Sequence, residues 1–111
     1  MKHFEIQLTP SQRKLHIFTG AYNKAEVLEV CGEDLDISED WQGAYVTREI
    51  RGYVEPIMWI KNIKSKPTFI HETVHCVTDL MKSTNIEDDE FRAWYTEWLY
   101  NTIQDAIKLS R

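Results

Sequence analysis

The chain has 111 residues, with 18 Asp and Glu against 13 Lys and Arg, a net charge of −5 and a pI near 5.3. That length holds one domain with one core, residues 1–111, and the acidic balance argues against a general nucleic-acid binder. Four Trp, five Tyr and four Phe argue for a packed globule over a disordered chain, and no run of apolar residues is long enough to predict a membrane span.

Phe4, Ile6 and Leu8 alternate with Glu5 and Gln7, the period of a strand. That alternation, following Lys2, is unlike a secretory signal. Cys31 and Cys76 give no disulfide framework, so a reduced cytoplasm is the expected compartment. Thr9-Pro10-Ser11 breaks the first strand, and Leu15, Ile17 and Phe18 predict a second that ends at Gly20. Residues 22–31 read as a short helix, with Ala25, Val27, Leu28 and Val30 apolar, Asn23 as its cap and Gly32 as its stop. Glu33, Asp34, Asp36, Glu39 and Asp40 then form an acidic loop. Residues 44–50 and 53–63 are rich in Tyr, Val, Ile and Trp, with Arg51-Gly52 placed as a hairpin turn. Pro56 points to an edge strand, a bulge or a strand start, because it cannot donate to a ladder. The unbroken run Ile57, Met58, Trp59, Ile60 reads as a strand covered on both faces.

A helix is predicted near 66–82. Pro67 suits its first turn, Ser65 can cap it, and Phe69, Ile70, Val74, Val77, Leu80 and Met81 recur at helical spacing. This helix carries His71-Glu72-Thr73-Val74-His75, the H-E-x-x-H pattern of zinc-dependent hydrolases. Four residues advance about 400° on a helix, so both imidazoles share one face and can share one metal ion. Glu72 flanks that face, where a carboxylate can take a proton from water held by the metal. Cys76 points about 100° away and reads as a small buried residue. The loop 83–88 leads into the acidic run Glu87 to Glu90. A last helix follows, with Phe91, Trp94, Tyr95, Trp98, Leu99, Thr102, Ile103, Ala106 and Ile107 as its apolar stripe.

Catalytic zinc usually has three protein ligands. The extension H-E-x-x-H-x-x-G-x-x-H is absent, since position 78 is Thr and position 81 is Met. His3 and His16 lie far upstream on the expected strands. Asp79, one turn beyond His75, is placed either to bond a ligand imidazole or to act as a ligand itself. Glu90 is the leading third ligand, because the last helix must pack near the motif helix to bury both stripes. Glu97 is its substitute and Glu87 a weaker one.

His71-Glu72-x-x-His75 combined with Glu90-Phe91-Arg92-Ala93-Trp94 resembles minimal zincin-type metallopeptidase domains, a combination often shown by small proteins encoded by bacteriophages. The resemblance covers roughly residues 43–100 in order of elements, and about ten residues specifically. It implies an α+β fold, with a small antiparallel or mixed sheet packed against the H-E-x-x-H helix and a long C-terminal helix. It implies Zn²⁺ held by His71, His75 and Glu90, Glu72 as general base, and Ala93 as the small residue that lets the two helices approach. It implies a peptide or protein substrate lying extended along a sheet edge, either the strand around Tyr45 to Glu49 or the one around Met58 to Ile60. Pro56 near that edge would discourage strand pairing there. Tyr95, Tyr100, Tyr45, Tyr53 and His16 are all chemically able to stabilise an oxyanion. The expected function is therefore a zinc-dependent metallopeptidase-like hydrolase of the cytoplasm, or of the host cytoplasm if phage-encoded, with neither a nucleic acid nor a membrane as partner. The alternative is a zinc-retaining binding module that acts on a host or partner protein without turnover. The absence of room for the second subdomain of larger zincins favours it.

Overall fold

A computed structural model describes residues 1–109. Two strands come first, β1 (Lys2–Gln7) and β2 (Lys14–Thr19), paired antiparallel from Lys2↔Thr19 to Gln7↔Lys14. Helix α1 (Lys24–Cys31) follows. Its start and stop are the local ones the sequence carries: the Asn23 side chain accepts from the Glu26 N–H, and Gly32 ends the helix at φ 80°. Strands β3 (Gly43–Ile50) and β4 (Tyr53–Ile60) then form a hairpin. Arg51 and Gly52 turn it, both at positive φ (53° and 88°), as a two-residue turn matching the right-handed twist of its strands requires.

The sheet is mixed, in the order β1-β2-β4-β3, with β2 and β4 parallel. Helices α2 (Lys66–Ser83) and α3 (Asp89–Leu109) pack together on one face. Their core joins Leu15, Ile17, Met58 and Ile60 of the sheet to Phe69, Val77, Leu80, Tyr95, Leu99 and Ile103. Helix α1 and the acidic loop cover the other face, where Phe18, Ile57 and Trp59 meet Val27, Leu35 and Ile37. The acidic loop is thus anchored by two buried apolar side chains. Two of its charges are partnered as well: Tyr22 donates to Asp34 at 2.8 Å and Arg48 lies 3.3 Å from Glu33.

The α+β fold with a mixed sheet and a long C-terminal helix is as expected, and the run at residues 57–60 is covered on both faces. Two expectations are corrected. Met58 to Ile60 is no sheet edge, because β4 is flanked by β2 and by β3 there. Pro56 therefore guards no open edge at Met58 to Ile60: it is buried in β4 opposite Thr47. The ladder with β2 starts only at His16↔Ile57, so at Pro56 the strand is paired on the β3 side alone. Counting the antiparallel alternation from the Ile50↔Tyr53 closing pair makes Thr47↔Pro56 a non-hydrogen-bonded pair. The proline nitrogen then points away from β3, where no donor is needed. The open edges of the sheet are β1 and β3.

Candidate metal centre

Helix α2 begins with Pro67 in its first turn, and the Ser65 carbonyl accepts from the Phe69 N–H at 3.2 Å. Its buried stripe (Phe69, Thr73, Cys76, Val77, Leu80, Met81) presses on the sheet and on α3 and fixes its rotation. That rotation leaves His71 and His75 exposed, one turn apart. Their Nε2 atoms stand 3.1 Å apart, with ring centroids 4.7 Å apart and rings nearly perpendicular. Two nitrogens bound tetrahedrally at 2.0–2.1 Å from one ion would be roughly 3.3 Å apart, so the pair is spaced for a shared metal.

Glu72 completes the group. Its Oε1 lies 3.7 Å from His71 Nε2, and one donor atom from each of the three residues lies within 4.8 Å of the others. The side chain is only 5% exposed, and Oε2 has no hydrogen-bond partner among the described residues. Burial raises its pKa above the ordinary carboxylate value, and the two imidazoles pull it back down.

Gly43, at the start of β3, makes this burial feasible. A Cβ there would stand 2.7 Å from Thr68 Cγ2, 3.0 Å from the Trp59 carbonyl and 3.4 Å from Glu72 Cγ. Only glycine lets the strand approach the helix so closely. Two clefts run between β3 and α2, with volumes of about 620 and 430 Å³, and Trp41, Gly43 and Glu72 line both. His75 opens on the first and His71 on the second. Sequence reading missed Gly43 and Trp41. The available signal was a glycine two residues after Trp41, immediately before the strand expected at 44–50.

The other named residues are placed as follows. Glu90 lies exposed in the first turn of α3, with its N–H bonded to Asp88 Oδ1. Ile86 bonds back to Met81, and Arg92 shares a cleft with Thr78, Met81 and Lys82, so this turn is level with the C-terminal end of α2. Met81 is roughly 15 Å beyond His71 along the axis, and the structure does not bring Glu90 into the group. Glu87 and Glu97 are exposed and outside it too. Asp79 lines the His75 cleft but is engaged elsewhere, accepting from the Tyr45 hydroxyl at 2.8 Å and lying 3.8 Å from Arg13. Ala93 is exposed, so it is not the close-approach residue between the helices; Tyr95 and Leu99 fill that seam. Cys76 is buried, as expected.

Of the five oxyanion candidates, only Tyr45 lines the cleft with His75 and Glu72. Tyr95 is fully buried with its hydroxyl unpartnered among the described residues, and burial pushes its pKa up to about 12. Tyr100 is half-buried at the rim of the core and Tyr53 is exposed beside the hairpin turn. His16 adjoins Phe18 on the α1 face of the sheet, across from α2, and His3 stacks on both. These two histidines belong to a different place in the molecule. Comparison with protein-family models, with curated proteins and with solved structures gives no match. No helix among the described residues is long and apolar enough to cross a membrane.

Proposed function

We propose that the chain is a zinc-dependent metallopeptidase-like hydrolase of the zincin type. The observation that carries this reading is the buried Glu72 carboxylate, with an unpartnered oxygen, set beside two imidazole nitrogens 3.1 Å apart. A buried acid left this way is costly to stability unless it serves something that is bound there.

The donor set fits Zn²⁺, with neutral His71 and His75 as ligands. An ion held there would polarise a substrate carbonyl and lower the pKa of water toward about 7. Glu72, with its own pKa raised, accepts the proton from water and returns it to the leaving amine. Strand β3 is an open sheet edge along the clefts that hold Glu72 and His75, so an extended peptide has a ladder to join beside the site. Tyr45, on that strand, lines the same cleft as His75 and Glu72, which supports it as the oxyanion donor, in exchange for its present bond to Asp79. Glu90 is the third ligand that the resemblance names, and it reaches the ion only if the first turn of α3 shifts back along α2.

Two substitutions test the roles. Glu72→Gln keeps zinc and abolishes peptide hydrolysis, at least ~10²-fold, if Glu72 is the base; loss of the metal would make Glu72 a ligand instead. Glu90→Ala weakens zinc binding strongly if Glu90 completes the set, and full retention removes it. A zinc-retaining binding module remains the second reading. It is favoured by the exposure of both imidazoles to solvent. Zinc binding together with no turnover on any peptide would select it.

A further inference from the structure

The opposite face of the sheet carries a second constellation with its own geometry. His3 and Glu5 project from β1 and His16 from β2, and donor atoms from the three lie within 4.8 Å of one another. His3 Nε2 stands 3.2 Å from His16 Nδ1, and Glu5 Oε1 stands 3.6 Å from the same Nδ1. Both distances bracket the roughly 3.3 Å expected between two ligands of one tetrahedral ion. The other carboxylate oxygen of Glu5 faces Lys14 at 4.0 Å, so Oε1 is not held by that ion pair.

An independent observation concerns the far nitrogen of His16. His16 is 4% exposed, and its Nε2 is hydrogen-bonded to the Glu55 carboxylate of β4. A carboxylate on one ring nitrogen fixes the proton there, holds the ring in place and leaves the other nitrogen as a lone-pair donor. Metal-ligating histidines are normally oriented this way. Here the nitrogen left over is Nδ1, the one that faces His3 and Glu5. The group lines a cleft of about 670 Å³, so an ion has a route in from solvent.

We propose that His3, Glu5 and His16 form a second site for a divalent first-row cation of the zinc type, with Glu55 as a positioning residue. The site is independent of the centre on α2. It ties three strands together: β1 supplies two ligands, β2 supplies one, and β4 holds the carboxylate that orients it. Strand β1 is an edge strand paired with β2 alone, so the bound ion staples the N-terminal strand to the sheet.

The test uses the full chain with the α2 centre disabled. The His71→Ala, His75→Ala variant loses only exposed side chains and keeps its fold. Titrated with Zn²⁺ against a chromophoric chelator, it takes up about one ion per chain, and Co²⁺ in the same variant gives the visible absorption of an ion in a low-symmetry nitrogen and oxygen site. Adding His3→Ala weakens the affinity by more than ~100-fold, and adding Glu55→Gln weakens it ~10–100-fold, the range expected of an orienting partner. Glu5→Gln, at an exposed position, is the second ligand variant if His3→Ala disturbs the far-UV circular dichroism. No zinc uptake by the variant lacking His71 and His75 would overturn the proposal. So would an affinity unchanged by both His3→Ala and Glu5→Gln, which would leave the cluster as a hydrogen-bonded Glu55–His16–His3 chain.

Discussion

The Glu72 carboxylate sits between opposing influences, with burial raising its pKa and His71 and His75 lowering it. In the metal-free protein burial dominates, so the folded state holds this proton more tightly than the unfolded chain does. Stability from this group is therefore lost as pH rises from its ordinary value of 4.5 through the raised folded value, and stays lost above it. Glu72→Gln removes that loss. With a chelator present, the urea midpoint of Glu72→Gln exceeds that of the parent at pH 7, and the gap shrinks toward pH 4. A gap that is equal at the two pH values would mean that Glu72 is not ionised against a cost. The placement of Glu72 beside two histidines was legible in the sequence, because H-E-x-x-H spacing alone sets two histidines and a flanking acid on one helix. Its unpartnered oxygen was not legible, because that depends on which strand lies over it.

Among the elements, those with local punctuation were readable and those set by distant contacts were not. Asn23 and Gly32 bound α1, and Arg51-Gly52 turns the hairpin, through interactions within a few residues. Pro56 misled because its tolerance depends on where β2 stops pairing, a fact of register between distant strands. Ala93 and Glu90 are placed by the course of the 84–88 segment and the rotation of α3, neither of which a helical stripe specifies. Gly43 was overlooked because close approach of strand and helix is a tertiary property. Gly43→Ala tests that contact. Its Cβ collides with Thr68, whose side chain can turn, and with the Trp59 carbonyl, which cannot move without the sheet. The expected loss is about 1–3 kcal/mol by thermal or urea unfolding, with weaker zinc binding at His71 and His75 as β3 is pushed off α2. Parent-like stability and zinc affinity would mean that the strand and helix have slack between them.

For the molecule as a whole, a mixed sheet covered on both faces separates the two histidine clusters. One lies on the α2 face, beside the open edge of β3, and the other on the α1 face, where β1, β2 and β4 meet. The strand order β1-β2-β4-β3 makes this division, and it was not legible in the sequence because a parallel β2–β4 pair joins segments far apart in the chain. Its consequence is that His3 and His16 group with Glu5, apart from His71, Glu72 and His75. The central claim is that His71 and His75 hold a metal ion with Glu72 at its side. The direct measurement is zinc content and affinity of untagged protein carrying His3→Ala, which disables the other cluster, compared with the same protein carrying His71→Ala in addition. The account predicts about one tightly held zinc per chain in the first and more than ~100-fold weaker binding in the second. No zinc in the first protein, even after zinc is added, would contradict it and leave His71 and His75 as surface histidines without a metal.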